Sequence, residues 1–103
     1  MHIDVQPERQ WVRLAPVGEL DLATVPDLAR VVDELRDVGF DAFKVDLQGL
    51  TFMDSTGLRY LLELSREEGV RLEITPGQGP AQRLFDLAGV VELLPLATAG
   101  RGR

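Results

Sequence analysis

The stretch from residue 42 to residue 65 constrains the fold most, because its hydrophobic pattern changes period in the middle. In residues 42–47 apolar side chains alternate with polar ones, which is the two-residue period of a strand. In residues 58–65 the apolar side chains recur at helical spacing, and Gly69 follows as a helix stop. The sequence therefore predicts a strand that leads through a short loop into a helix.

Three residues in this loop are of the types that cap helices. Asp54, Ser55 and Thr56 each carry an oxygen that accepts hydrogen bonds from the free N–H groups at a helix start. We expect one of them to be the cap, which leaves the others near the positive end of the helix dipole, where an acidic group is well tolerated. An ordinary N-cap has the same composition, so spacing alone leaves a structural and a functional interpretation open.

The N-terminal part of the chain predicts an antiparallel edge hairpin. Residues 2–6 and 10–16 have strand patterns separated by a turn, and alternation in the second places Val12 and Leu14 towards the core. Pro16 is expected to end that strand because proline cannot donate to a ladder, and residues 18–21 are then a loop.

The first predicted helix begins at the capping-box sequence Thr24–Asp27, which includes a proline in the first turn, and ends at Gly39. Its apolar stripe consists of Leu28, Val31, Val32, Leu35 and Val38.

The C-terminal part predicts a strand, a helix and a short apolar segment. Residues 70–75 alternate cleanly, and residues 80–89 have a helical apolar face. Residues 90–95 are too short for periodicity to choose between an edge strand and a helical turn, and we favour the strand. We expect a single domain over residues 1–96 and a disordered tail at 97–103.

The order of these elements predicts an α/β fold. Helices between strands indicate right-handed crossovers between parallel strands, and the first hairpin adds an antiparallel edge. The prediction is a small mixed sheet of about five strands with helices packed against it.

Composition excludes several classes of function. The chain has no cysteine, hence no disulfide, thiolate metal site or thiol nucleophile, and its single histidine, His2, is far in sequence from Ser55. We therefore expect neither an enzyme nor a cofactor. Asp21, Asp46 and Asp54 offer oxygen ligands for a divalent cation, but Asp46 alternates with core-facing residues, so a metal site is not expected.

The charge and hydropathy patterns limit the classes of partner that we expect. Seventeen acidic residues against eleven basic ones give a net charge of −6, and the basic residues are scattered, so we do not expect direct nucleic-acid binding. No apolar run is long enough to span a membrane, and residues 1–5 lack a signal-peptide pattern. We expect a cytoplasmic protein that does not bind membranes, and the sequence leaves its oligomeric state open.

Three separated motifs carry a resemblance to a known family. They are Gly18-Glu19-Leu20-Asp21, the stretch Phe52 to Leu58, and Arg83-Leu84-Phe85-Asp86-Leu87-Ala88-Gly89. In this order, from about Val12 to about Leu96, the chain resembles bacterial STAS-domain anti-sigma factor antagonists of the phosphorylatable-serine type. The resemblance implies the same mixed α/β fold, although the C-terminal helix usual in that family is not visible in this sequence.

The resemblance also implies a function and a set of site residues. Such an antagonist, while unphosphorylated, binds an anti-sigma factor that is also a serine kinase and so frees the sigma factor. The kinase inactivates it by phosphorylation, and a metal-dependent serine phosphatase restores it. Ser55 matches the phosphoacceptor, with Thr56 as the less favoured alternative, and Asp21 matches an acidic residue that contacts the kinase. The implied partner-binding residues are Glu19, Leu20, Asp21, Asp54, Ser55, Thr56, Gly57 and Leu58.

An alternative function lies within the same fold. Some STAS domains are unphosphorylated subunits of lipid-transport assemblies or scaffolds in stress-sensing particles, and in these the loop serine can be a spectator or structural. The sequence leaves this alternative open.

Overall fold

The computed structural model describes residues 1–77, and the predicted third helix, last strand and tail lie outside the described residues. In residues 1–77 the chain forms five strands and two helices. They are β1 (His2–Pro7), β2 (Val12–Leu20), α1 (Val25–Asp37), β3 (Ala42–Asp46), β4 (Leu50–Met53), α2 (Ser55–Ser65) and β5 (Arg71–Thr75). Within this part of the chain, no helix has the length and apolar character needed to cross a membrane.

The strands form one mixed sheet in the order β1-β2-β3-β5, with β4 paired to the C-terminal part of β2. β1 runs antiparallel to β2, whereas the other pairs are parallel. The predicted α/β fold with an antiparallel edge hairpin is therefore confirmed.

The core lies between the sheet and the two helices. As predicted, Val12 and Leu14 are buried, whereas Trp11 and Arg13 on the other face are partly exposed. Each buried aliphatic or aromatic side chain of this kind contributes about 1.5–3 kcal/mol relative to exposure. The largest fully buried members of the hydrophobic core include Leu14, Leu20, Leu28, Leu47, Leu61, Phe43 and Ile74.

The prediction that Pro16 ends its strand is wrong, because β2 continues through Pro16 to Leu20. β3 pairs with β2 only as far as Leu14, and β4 pairs with it only from Gly18 onward. Pro16 thus lies where β2 passes from one parallel neighbour to the next, and its missing N–H breaks neither parallel ladder. The motif at residues 18–21 is strand except for Asp21, not a loop as predicted.

The short strand β4 was not distinguished from β3 in the sequence. The chain turns between them, where the N–H of Leu50 donates to the carbonyl of Leu47 at 3.1 Å. A register shift between Gly18 and Glu19 leaves Thr51 without a partner in β2. This bulge breaks the two-residue period, which explains why the pattern did not reveal the strand.

The start of α1 follows the prediction in position but not in chemistry. Thr24 is the N-cap residue and a proline occupies the first turn, yet the Thr24 side chain makes no bond to the helix. The predicted partner of the capping box, Asp27, instead binds the amino group of Met1 at 3.0 Å, and this positive charge lowers the pKa of Asp27. Val38, which was assigned to the apolar stripe, follows the helix and is exposed.

Candidate functional site

The C-terminal ends of β2 and β4 bring two loops together at one end of the sheet. The N–H of Asp54 donates to the carbonyl of Leu20 at 3.2 Å, and Leu20 and Met53 are both buried beneath this contact. The turn that leads into α1 and the start of α2 therefore lie side by side, which places the two N-terminal motifs of the sequence at one site.

Asp54 is the cap of α2. Its Oδ1 accepts a hydrogen bond from the N–H of Gly57 at 3.0 Å, and its carbonyl accepts one from Leu58 at 3.1 Å. Of the three residues predicted as caps, Asp54 alone has this role, so Ser55 and Thr56 are the first two residues of the helix.

The hydroxyl of Ser55 has no hydrogen-bond partner in the described part of the chain. Ser55 is exposed and Thr56 is partly exposed, and neither side chain forms a hydrogen bond within residues 1–77. Their backbone N–H groups also have no partner within those residues. An anionic group on Ser55 would lie at the positive end of the α2 dipole, close to unoccupied donors.

Gly57 is required for the packing of α2 onto the strand ends. A Cβ at this position would lie 2.8 Å from the carbonyl oxygen of Leu20 and 2.9 Å from Cγ of Met53. Both distances are shorter than a van der Waals contact, so only glycine permits this approach. Leu20 and Leu58, which the resemblance placed among the partner-binding residues, are buried and lie beneath the surface of the site.

The turn before α1 is closed by its own side chains. Oδ1 of Asp21 accepts hydrogen bonds from the N–H groups of Ala23 at 3.0 Å and Thr24 at 3.1 Å. The Thr24 hydroxyl donates to the carbonyl of Glu19 at 2.8 Å and accepts from the N–H of Asp21 at 2.9 Å. Asp21 therefore shapes this turn, and no hydrogen bond within the described residues uses its Oδ2.

Two residues of this site were missed by the sequence argument. Thr24 was assigned to a capping box, whereas its hydroxyl joins the turn to β2. Phe52 lies between the predicted strand at residues 42–47 and the predicted helix, where the sequence indicated a loop, whereas it is an exposed residue of β4 whose register partner is Glu19. The bulge at Thr51 turns Phe52 to the opposite face from Leu50, and alternation in the sequence gives no sign of this.

The three aspartates considered as metal ligands are used differently. Asp46 is buried, pairs with the guanidinium of Arg13 and accepts a hydrogen bond from the N–H of Gln48 at 2.9 Å. Asp21 and Asp54 each hold the backbone of their own loop. Among residues 1–77, no three histidine, cysteine or acidic side chains gather in a way that suits a metal ion.

The sequence has relatives that are named anti-sigma factor antagonists. It is 29% identical over 97 residues to the anti-sigma-B factor antagonist of Staphylococcus aureus (strain NCTC 8325 / PS 47), covering 91% of this chain and 90% of the relative. It is 35% identical over 80 residues to that of Staphylococcus epidermidis, covering 75% and 74%.

The fold is similar to those of solved structures of anti-sigma factor antagonists. An anti-sigma factor antagonist from Mycobacterium paratuberculosis superposes with a TM-score of 0.78 at 23% identity, covering 92% of this chain and 83% of that one. The antagonist SpoIIAA in its unphosphorylated form gives a TM-score of 0.74 at 20% identity, with 99% and 98% covered. SpoIIAA in its phosphorylated form gives 0.67 at 21%, with 98% and 96% covered.

The family assignment rests on the sequence itself. Residues 1–95 match the family model described as "Mlab, STAS domain", which spans most of the chain. The resemblance predicted from the three motifs is thereby confirmed, and the chain belongs to the STAS-domain family.

Proposed function

We propose that this chain is an anti-sigma factor antagonist that binds an anti-sigma factor serine kinase while Ser55 is unmodified, and so frees the sigma factor. Phosphorylation of Ser55 by that kinase ends binding, and a metal-dependent serine phosphatase reverses it. The observation that carries the proposal is the exposed hydroxyl of Ser55 at the first position of α2, which forms no hydrogen bond within residues 1–77. The names of the staphylococcal relatives support the same class of function.

The position of Ser55 explains how a phosphate changes binding without unfolding the chain. A phosphate adds about −1.5 to −2 charges and three acceptor oxygens. The dipole of α2, together with the N–H groups at its start that have no partner within residues 1–77, favours that charge in the folded protein. A partner surface that closes over a neutral serine would instead strip water from a dianion beside Asp54, which is strongly unfavourable.

Ser55 is a better acceptor than Thr56 for two reasons. Ser55 is exposed, whereas Thr56 is partly covered. The hydroxyl of serine is also less hindered than that of a β-branched residue. Both residues remain in the test because both hydroxyls are unbonded in the described part of the chain.

The test uses a purified anti-sigma factor serine kinase from the same organism, with ATP. We expect phosphate incorporation in the wild type and in Thr56→Ala, and none in Ser55→Ala. Incorporation that survives in Ser55→Ala and vanishes in Thr56→Ala would move the acceptor to Thr56.

The same purified kinase then tests the switch by calorimetric titration. A buried, unpaired charge costs about 3–5 kcal/mol, so Ser55→Asp should bind roughly a hundredfold or more weakly than Ser55→Ala. Thermal melts are the control that both variants are folded. Equal affinities would contradict the switch and favour an unphosphorylated subunit of a lipid-transport or stress-sensing assembly.

A further inference from the structure

Within residues 1–77, the large apolar side chains of Leu22 and Phe52 are exposed at the end of the sheet that carries Ser55. Leu22, in the turn before α1, is 74% exposed, and Phe52, on β4, is 43% exposed. Phe52 is the register partner of Glu19 in β2, and Leu22 lies two residues after the end of β2. Both therefore belong to the two segments that meet at the start of α2.

The local structure holds both side chains outward. The bulge between Gly18 and Glu19 gives the buried position to Met53 and leaves Phe52 on the surface. The Asp21 hydrogen bonds fix the turn that displays Leu22. An exposed aromatic and an exposed leucine contribute little to this fold, and they gain free energy when another surface covers them.

The charges around these side chains select the chemistry of that surface. Glu19, Asp21 and Asp54 lie at the same end of the sheet, and none of them forms an ion pair with a lysine or arginine within residues 1–77. A second copy of the chain would bring like charges together at this end. A surface with lysine or arginine at its rim would neutralise them.

We infer that Phe52 and Leu22 are the apolar anchors of the protein-binding surface around Ser55, and that the partner offers an apolar recess bordered by cationic side chains. This inference rests on the proposed function, which identifies that partner as the anti-sigma factor kinase. Phe52 is the principal anchor, because aromatic side chains are enriched at the centres of protein interfaces.

Calorimetric titration of the purified kinase tests the anchors against matched controls. Phe52→Ser and Leu22→Ser should each weaken binding about tenfold or more. The controls are Val5→Ser on β1, which is 43% exposed, and Val38→Ser at the far end of α1, which is 73% exposed. Both controls should bind within about twofold of the wild type, because they remove similar exposed surface away from this end.

Charge and self-association are measured on the same proteins. Binding of the wild type should weaken as salt is raised, and Glu19→Gln should reduce that dependence. Sedimentation of the wild type and of Phe52→Ser, each without the kinase, should show no wild-type dimer that is lost in the variant. Such a dimer would replace the kinase by a second copy and overturn the inference.

The remaining outcomes separate the anchors from the proposed function. If the wild type binds but folded Phe52→Ser and Leu22→Ser bind equally well, the anchors are wrong and the proposed function stands. If neither the wild type nor Ser55→Ala binds, the proposed function fails and the partner inferred here fails with it. Because Leu22 is so exposed, Leu22→Ser keeps the test valid even if Phe52→Ser is unstable.

Discussion

The two helices begin at the same end of the sheet, each near a β-strand terminus, but they use their hydroxyl residues in opposite ways. At the start of α1 the hydroxyl of Thr24 bonds to Glu19 and Asp21. At the start of α2 the hydroxyl of Ser55 bonds to nothing within residues 1–77. One hydroxyl is part of the fold, whereas the other is available for chemistry.

The residue that caps each segment accounts for the difference. Asp54 precedes Ser55 directly and supplies the side-chain oxygen that α2 needs, so Ser55 is not required as a cap. Asp21 closes the turn before α1 three residues ahead of Thr24, and Thr24 then completes that turn rather than the helix. Two similar sequences of hydroxyl and carboxyl residues thus give a closed start at α1, where the hydroxyl is hydrogen-bonded, and an open start at α2, where the hydroxyl has no partner within residues 1–77.

Gly57→Ala is the strongest way to break the open start of α2. The added methyl group would collide with the carbonyl of Leu20, a backbone atom that cannot rotate away, so we expect a loss of about 3 kcal/mol in unfolding free energy. Urea unfolding measures the loss, and Thr56→Ala, one residue earlier in the helix, is the control with little expected change. A Gly57→Ala protein as stable as the control would show that α2 is free to shift.

Thr24→Ala and Ser55→Ala test the comparison directly. Thr24→Ala removes the hydrogen bonds that the hydroxyl makes with Glu19 and Asp21 and should destabilise the fold by about 1–2 kcal/mol. Ser55→Ala removes an exposed hydroxyl that is unbonded within residues 1–77 and should change stability by less than about 0.5 kcal/mol. Thermal and urea unfolding of the pair give both values, and equal losses would mean that the Ser55 hydroxyl is structural too.

Local patterns predicted most of the fold but not the details of the site. The hydrophobic periods of residues 42–47 and 58–65 located β3 and α2, because each period arises from the side chains that the element buries in the core. The course of β2 through Pro16 and the existence of β4 depend on which strand lies alongside. That pairing joins segments far apart in the sequence, so a local pattern does not reveal it. For the same reason the outward position of Phe52 has no local signal.

Site residues show the same division. Residue type predicted that one of Asp54, Ser55 and Thr56 caps the helix, but not which one, because all three accept the same hydrogen bond. The choice follows from the bond between the Asp54 N–H and Leu20, which fixes where the helix begins. The role of Thr24 was likewise hidden, since its partner Glu19 belongs to the preceding strand.

Asp21 gives the smallest and sharpest test, because its carboxylate has a structural oxygen and an oxygen that is unused within residues 1–77. Asp21→Asn keeps an acceptor at Oδ1 but removes the charge, so its stability should stay within about 0.5 kcal/mol of the wild type while kinase binding weakens. Asp21→Ala removes the acceptor as well and should lose about 1 kcal/mol. Thermal melts combined with kinase titration separate the two roles. If Asp21→Asn is as unstable as Asp21→Ala, the charge itself holds the turn and Asp21 is a structural residue.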